Sequence, residues 1–397
     1  MPSLPPSVRL SVFLWRRGDD QGPDRRGVDP ARWQARSMAF REPPTVQLLS
    51  MDDQATQFLR RQRGRRIAIF VVLGSLWLAL AVIPIGRYVI IRPGSADSVD
   101  ARLTVNGAKT FAPKGETFWA TVGIVERPSA MQLVAAWLSG EQDAPRRRDI
   151  YGNESVSESR RQSSAQMEDA KQVAEIVAAR KLGFPVRGGG AELAEVSKDY
   201  PASKVLKAGD LITAVNGTPV CLQADIAKAL RGRKPGSKVD VTLRRGTMSM
   251  TLATPTVGVK GYALPVFGVL LTAATKQPCH APFSVAIDTR SIGGPSAGLA
   301  MTIALLERLS PGELTGRQKV AVTVTIEGDE TVGEVGGVKQ KTLAVRAAGA
   351  KLFIVPKSEV ALARPHAGTM RVVGVKNLDE ALAALRQLGG DPLPPRA

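Results

Sequence analysis

Two short glycine-rich segments decide how the C-terminal part of the chain is read: Gly293-Gly294-Pro295-Ser296-Ala297-Gly298 and Gly336-Gly337-Val338-Lys339-Gln340-Lys341. A strand-like alternation over 283–288 precedes the first segment, and helical periodicity over 297–309 follows it. We therefore expect Ser296 at a strand-to-helix turn, where a serine is a good N-cap. The sequence predicts a mixed α/β fold around this turn.

The backbone of this turn is a candidate for anion binding. N–H groups at the start of a helix have no partner within the helix, so they can hold a developing oxyanion. The candidate residues are Gly294, which also lets the turn form, and Ala297.

A reactive serine needs a base, and histidine is scarce: only His280 and His366 are present, and neither lies in a recognisable motif. A lysine is the alternative, because burial can supply the roughly 4.6 kcal/mol needed to make it neutral at pH 7. Residues 338–348 read as a helix in which Lys339 and Lys341 lie about 200° apart. At most one of these two lysines can face the serine.

The two segments, at 294–298 and 336–341, resemble the signature segments of the Lon-type serine proteases. That resemblance covers roughly residues 265–388 and implies a catalytic Ser–Lys dyad. It makes Ser296 the nucleophile. Because the family pattern is Gly-Gly-x-x-x-Lys, it makes Lys341 the base.

The same resemblance implies a threonine hydroxyl that supports the lysine. The matching segment is the predicted strand 320–325. Thr323 matches the position best, and Thr325 is the near alternative.

Composition limits the other possibilities. With 397 residues and 44% hydrophobic content, the chain should hold two or three domains with real cores. A formal charge of +18 suggests nucleic acid as a partner, but aromatic residues make up only 5% and no nucleic-acid motif is present, so none is predicted. Cys221 and Cys279 have no metal or redox spacing, and we predict no metal or cofactor; whether they pair or stay as buried thiols is left open.

The 19 residues from Ile67 to Ile85 carry no charge and span about 28 Å as a helix, close to the thickness of a bilayer core. Arginines crowd the N-terminal side, at positions 60, 61, 63, 65 and 66. The positive-inside rule then places the N-terminus in the cytoplasm and the rest of the chain outside it. A cleaved signal peptide and a buried core helix are the alternatives, but no small-x-small cleavage site follows the run.

Residues 182–256 read as strand, turn, strand with Asn-Gly, helix and strand, an order that resembles bacterial PDZ domains. A Gly-Phe loop with unpaired N–H groups can hold a peptide carboxylate, and a strand edge beside a helix lets a peptide add as an extra strand. The predicted peptide-binding residues are Gly183, Phe184, Val186, Ile226 and Leu230. A spacer without peptide binding is the alternative.

The predicted fold class is α+β: one transmembrane helix, a β-rich PDZ-like domain and a Lon-type proteolytic α/β domain. The predicted limits are 1–59 (disordered, cytoplasmic), 60–92 (basic flank and anchor), 93–181 (mixed α/β), 182–257 (PDZ-like), 262–388 (protease) and 389–397 (frayed tail). The downstream Met38 and Met51 leave the true start open.

The predicted function is that of a single-pass plasma-membrane serine endopeptidase, with the PDZ and protease domains outside the cytoplasm. Its partners would be polypeptide substrates and the lipid bilayer; assembly into a homo-oligomer stays open. No Gly-x-x-x-x-Gly-Lys-Ser/Thr segment is present, so cleavage of unfolded or flexible polypeptides is expected without ATP. The alternative is a non-catalytic membrane scaffold that captures peptide ends through its PDZ domain.

Overall fold

The computed structural model describes residues 51–260, 264–271, 279–290 and 292–395. The predictions for 1–50, and those for 262–275 apart from 264–271, lie outside the described residues. The α-helices, in chain order, are α1 (Met51–Val82), α2 (Ala130–Ser139), α3 (Arg147–Tyr151), α4 (Val156–Lys181), α5 (Gln223–Leu230), α6 (Gly298–Leu309), α7 (Val338–Ala347), α8 (Val360–Ala363) and α9 (Leu378–Gln387).

The strands belong to three sheets. In chain order they are β1 (Ile90–Ser98), β2 (Leu103–Asn106), β3 (Glu116–Val125), β4 (Ala191–Val196), β5 (Leu211–Val215), β6 (Thr218–Pro219), β7 (Lys238–Arg245), β8 (Met248–Pro255), β9 (Val269–Leu271), β10 (Ser284–Ile287), β11 (Lys319–Val322), β12 (Leu352–Pro356) and β13 (Arg371–Val375). The architecture is α+β, as predicted.

Helix α1 contains the one candidate membrane span among the described residues. The segment Phe58–Val82 has a mean hydropathy of 1.9, and none of it is buried against the rest of the chain. By length and composition it is able to cross a bilayer.

A five-stranded sheet with the order β1-β3-β11-β12-β13 forms the centre of the fold. Strands β1 and β3 are antiparallel, whereas β3, β11, β12 and β13 are parallel neighbours. The region 93–181, read from sequence as a segment of its own, thus supplies two strands to the sheet that also contains β11 to β13.

Helices α4 and α6 pack together on this sheet in one large core. The helical periodicity of 297–309 corresponds to α6, in which Leu299, Ile303, Leu306 and Leu309 are all buried. The helix is nevertheless buried on nearly every side, because α4 covers the surface that a two-layer fold would leave to solvent.

A second core lies under a separate sheet of order β8-β7-β5-β4-β9, with β6 paired to β5 and α5 packed against it. Strands β4 to β8 come from the segment that reads as PDZ-like in the sequence, whereas β9 comes from 262–388, the segment predicted as protease, and so departs from that predicted limit. This lobe interrupts the chain between α4 and α6, and both of those helices belong to the other core.

The segment 140–163 holds α3 and the first two turns of α4, which Ser155 caps. Two local predictions need correction. The strand predicted over 320–325 ends at Val322. The tail is not frayed through 389–391, since Asp391 accepts from the Glu313 N–H and donates its own N–H to the Glu313 carbonyl.

Candidate active site

Ser296 lies in a short 3-10 turn, Pro295–Ala297, between β10 and α6. Gly294 precedes the turn with a φ of 88°, a conformation that a residue with a side chain rarely adopts. The helix itself begins at Gly298, and the Ser296 hydroxyl makes no capping bond. The prediction of a serine N-cap is therefore wrong, and the hydroxyl is left for other contacts.

Backbone bonds hold the turn on two sides. The Ser296 carbonyl accepts from the Val324 N–H at 2.9 Å, just beyond β11. On the other side, the Gly294 N–H donates to the Ser163 carbonyl of α4 at 2.8 Å. Gly294 therefore shapes the turn, but its N–H is already engaged in this structure. Ala297, the second residue predicted here, is buried in the turn.

Lys341 comes from α7, which starts after Gly337 in the left-handed conformation (φ 70°). Its side chain is only 4% exposed, and its Nζ lies 3.0 Å from the Ser296 Oγ. Burial lowers the pKa of Lys341 to about 8, and the negative charge of Glu359 opposes this shift. Near pH 8 about half of the lysine is therefore neutral and able to accept a proton.

Lys339, the other candidate lysine, points elsewhere. Its Nζ donates to Asp143 Oδ1 at 2.7 Å, and the Gln340 side-chain amide donates to Asp143 Oδ2 at 2.6 Å. Of the two lysines, the structure brings only Lys341 to Ser296.

Neither candidate threonine forms a hydrogen bond with the lysine. Thr323 follows β11 and is completely buried, and within the described part of the chain its Oγ1 has no hydrogen-bond partner. Thr325 Oγ1 accepts from the Gly333 N–H at 2.9 Å. The Thr323 hydroxyl is therefore available for a new hydrogen bond, whereas the Thr325 hydroxyl already accepts one from the backbone.

Glu359 was missed by sequence reasoning. It is buried just before α8; its Oε1 accepts from the Val335 N–H at 3.1 Å, and no described residue bonds to its Oε2. Burial raises the pKa of Glu359, the charge of Glu334 raises it further and the charge of Lys341 lowers it. A single glutamate in the segment 355–363 forms no motif, and with Lys357 and Ser358 before it no pattern in the sequence singles it out.

The predicted peptide-binding loop has a different role in the structure. The Gly183 and Phe184 N–H groups donate to the Arg180 and Ala179 carbonyls and close the end of α4. The expectation of unpaired N–H groups at this loop is therefore wrong. The physical reason is that α4 runs directly into the loop, so these N–H groups satisfy the last carbonyls of the helix.

The other residues predicted for the peptide groove are divided between two cores. Phe184 packs edge-on against Phe283, at 5.2 Å between ring centroids, and Val186 lies in the same cluster. Ile226 and Leu230 are buried instead in the core of the PDZ-like lobe. The structure does not bring these four side chains together.

One edge of that lobe is occupied by the chain itself. Strand β9 pairs antiparallel with β4, through Leu193–Leu271 and Val196–Val269. Beside this pair is a cleft of about 230 Å³, lined by Gly190, Ala191, Leu222 and Leu271 and also by Asp169 and Glu327. Burial, together with the smaller effect of the Glu327 charge, raises the pKa of Asp169 to about 6.

The two cysteines, left open by the sequence, form a disulfide between Cys221 and Cys279. It joins the loop before α5 to the segment that leads into β10. Within the described part of the chain, no group of His, Cys, Asp and Glu side chains has the arrangement of a metal site.

Residues 165–256 match the family model of the PDZ domain, and residues 285–386 match that of the Lon protease (S16) C-terminal proteolytic domain. A probable periplasmic serine endoprotease, DegP-like, of Ectopseudomonas mendocina (strain ymp) is 40% identical over 60 residues, 15% of this chain. The chain matches 13% of the length of that relative.

Solved structures similar to the chain include two PDZ domains of SdrC-like proteins. The one from Listeria monocytogenes is 25% identical, with 21% of this chain and 87% of that chain covered and a TM-score of 0.20. The one from Listeria innocua is 24% identical, with 21% and 92% covered and a TM-score of 0.20. From the two family matches, the chain contains a PDZ domain and the C-terminal proteolytic domain of Lon-type proteases.

Proposed function

We propose that the chain is a membrane-anchored serine endopeptidase that uses Ser296 as nucleophile and Lys341 as general base. The observation that carries the proposal is the 3.0 Å approach of Lys341 Nζ to Ser296 Oγ at a buried site. The match of 285–386 to a Lon-type proteolytic domain supports the same assignment.

The chemistry follows from the protonation state of the lysine. Neutral Lys341 accepts the Ser296 hydroxyl proton as Oγ attacks the carbonyl carbon of a peptide bond. The resulting ammonium then donates that proton to the leaving amine, which leaves an acyl ester on Ser296. Water, deprotonated by the same lysine, hydrolyses the ester and regenerates both groups. A pKa near 8 suits a group that must gain and lose a proton in each cycle.

The division of the chain is part of the proposal. We assign the anchor and its basic flank to 60–92, the PDZ domain to 182–257 and the protease to 262–388, except that β9 joins the sheet of the PDZ domain. Residues 93–181 complete the proteolytic lobe, because β1 and β3 share a sheet with β11. The tight turn around Ser296 is supported by a bond to α4 from this same region.

The substrate class is polypeptide that is already unfolded or flexible. No Gly-x-x-x-x-Gly-Lys-Ser/Thr segment occurs in the sequence, so we propose cleavage without ATP. The PDZ domain is proposed to bind peptides, which fits its family match, although not through Gly183 and Phe184.

Membrane anchoring through α1, with the remaining chain outside the cytoplasm, rests on the apolar span and the arginines before it. A reporter enzyme that is active only after export should be active when it is fused after Ala397. Activity of a reporter that works only in the cytoplasm, fused at the same position, would show that the orientation is the opposite one.

A serine-reactive probe tests the enzymatic proposal directly. The full chain in detergent is treated with a fluorophosphonate, and the modified residue is located by mass spectrometry. We expect Ser296 to be labelled and ATP-free cleavage of unfolded casein to be lost in Ser296→Ala. If neither labelling nor cleavage occurs in the unaltered chain, the non-catalytic scaffold is the correct reading.

A further inference from the structure

Helix α2 carries an apolar face that no described part of the chain covers. Met131, Val134, Trp137 and Leu138 are 36%, 54%, 81% and 71% exposed, respectively. The helix has no charged side chain in its ten residues. Large apolar side chains grouped in this way mark a surface that contacts something other than water.

The helix is ordered and has two distinct sides. At about 100° per residue, the four exposed side chains fall within an arc of about 120°. Ala136 lies outside this arc and is only 1% exposed, so it marks the side that packs on the protein. A capping box between Ser129 and Gln132 fixes the start of the helix. The apolar face is thus held outward by a well-defined helix.

Backbone bonds tie α2 to the end of the proposed membrane span. The Ile85 N–H donates to the Pro128 carbonyl at 2.7 Å, and Pro84 pairs with Ser129. Ile85 follows Val82, the last residue of α1, by three positions, a reach of at most about 10 Å. The first turn of α2 therefore lies close to the point where α1 ends.

Cationic side chains lie near the N-terminal end of α2, where the neighbouring carboxylate of Glu126 is paired with Arg160. Arg127 immediately precedes Pro128 and is exposed, as is Arg87. The Arg147 N–H donates to the Arg87 carbonyl, which brings the basic segment 146–148 beside Arg87. An apolar helix face with arginines near the start of its helix matches the boundary between hydrocarbon and lipid phosphates.

We propose that α2 lies in the lipid headgroup region on the side of the bilayer where α1 ends, with its apolar face toward the hydrocarbon. Tryptophan at position 137 suits this place, because the ring is enriched at membrane interfaces. A second copy of the chain is a poorer occupant, since a symmetric contact would bring two sets of arginines together. The proposal rests on the proposed membrane anchoring.

The contact has a consequence for the protease. Helix α2 follows β3 after a short connection, and β3 pairs with β11, next to the strand end that holds the Ser296 turn. With α1 and α2 both in the bilayer, the sheet is attached at two points. The dyad is then kept at a fixed orientation and height above the membrane.

Depth-dependent quenching in liposomes tests the position of α2. The full chain is reconstituted in phosphatidylcholine with phosphatidylglycerol, and one added cysteine carries the fluorophore NBD. The native Cys221 and Cys279 are paired and do not react. The informative site is Val134→Cys. Ser139→Cys, exposed on the same helix about 140° away, is the matched control.

Lipids with a nitroxide near the headgroup should quench the Val134→Cys label at least about threefold more than the Ser139→Cys label. A third site, Leu76→Cys in α1, should be quenched by a nitroxide deep in the acyl chain. If Leu76→Cys is quenched but Val134→Cys is not, the position of α2 is wrong while the anchor stands.

Two further outcomes would overturn the proposal. Self-quenching between Val134→Cys labels on different copies, without quenching by lipid, would assign the face to an interface between copies. Absence of quenching at Leu76→Cys would refute the anchor, and the position of α2 with it. Neither outcome depends on peptidase activity, which is measured separately by fluorophosphonate labelling of Ser296.

Discussion

Ser296 Oγ and Lys341 Nζ lie 3.0 Å apart although 45 residues separate them in the chain. One comes from a 3-10 turn before α6 and the other from the first turns of α7. Lys341 is only 4% exposed, and among the described residues the serine hydroxyl is the one hydrogen-bond partner of its ammonium group. This pair gives the clearest predictions.

Ser296→Ala and Lys341→Ala should each remove nearly all peptidase activity. The double variant should lose little more than either single one, because residues that act as a unit are not additive. Lys341→Arg should be inactive as well, since a guanidinium does not lose its proton at neutral pH. Initial rates on unfolded casein measure all four variants.

The matched control for this series is Lys339→Ala on the same helix. Its side chain bonds Asp143 rather than Ser296, so most activity should remain. An active Lys341→Ala enzyme, or a folded but inactive Lys339→Ala one, would show that the wrong lysine was assigned.

The kcat/KM of the unaltered enzyme should rise with pH through about 8, the pKa of Lys341, because only the neutral amine accepts the serine proton. Glu359→Gln should move this rise to lower pH. The negative charge of Glu359 favours the ammonium, so its removal lowers the pKa of Lys341 further. The glutamine can still accept from the Val335 N–H, which preserves the local structure.

Glu334→Gln is the control for charge alone, because Glu334 is exposed and screened by solvent. We expect its pH profile to match that of the unaltered enzyme. A Glu359→Gln profile that stays in place, or moves to higher pH, would remove Glu359 from any part in setting the pKa of Lys341.

Lys341→Met should stabilise the fold while it abolishes activity. The folded pKa of about 8 lies below the ordinary value of 10.5, so the buried ammonium destabilises the folded state below pH 8. At pH 6 the free energy of unfolding should rise by about 3 kcal/mol in the variant. The difference in the free energy of unfolding between the variant and the unaltered protein should shrink as pH increases from 8 to 10.5. In that range the folded unaltered protein holds a neutral lysine and no longer buries a charge. Urea unfolding at pH 6 and pH 10, with Lys339→Met as control, measures the difference.

Thr323→Val should separate a catalytic role from a structural one. The threonine hydroxyl is buried and has no partner among the described residues, so a methyl group in its place should leave the stability unchanged or raise it. If the hydroxyl supports Lys341 during the reaction, kcat should fall by about tenfold with little change in KM. Thr325→Val should lower stability instead, since it removes the acceptor of the Gly333 N–H. Unchanged kcat in Thr323→Val would exclude the supporting role.

Removal of the Cys221–Cys279 disulfide should lower stability. The two cysteines are 58 residues apart, so the bridge restricts the unfolded chain by an amount equivalent to roughly 4 kcal/mol. Thermal unfolding of the double serine variant should show a lower Tm than the oxidised protein. A reductant should lower the Tm of the unaltered protein and have no effect on the variant. If the oxidised unaltered protein and the double serine variant have equal Tm values, the bridge does not form in solution.

The sequence by itself determined the local elements around the site. The apolar positions of α7 and α9 were readable because a helix repeats every 3.6 residues: Val338, Leu343 and Val345 are buried in one, and Leu378, Leu382 and Leu385 in the other. The glycines at 294 and 337 were readable for a similar reason, since both adopt a positive φ that a turn requires. These features depend on near neighbours in the chain.

The tertiary structure decided the pairing of distant strands and the environment of buried polar groups, because neither depends on residues that are near in the chain. The pairing of β3 with β11 joins residues about 200 positions apart, and no periodicity specifies such a pairing. Burial beside Lys341 gives Glu359 its role, and the end of α4 takes up the Gly183 and Phe184 N–H groups that the sequence left for a peptide. In both cases the environment of a polar group, rather than its identity, sets what it can bind, and that environment is assembled only when distant segments pack together.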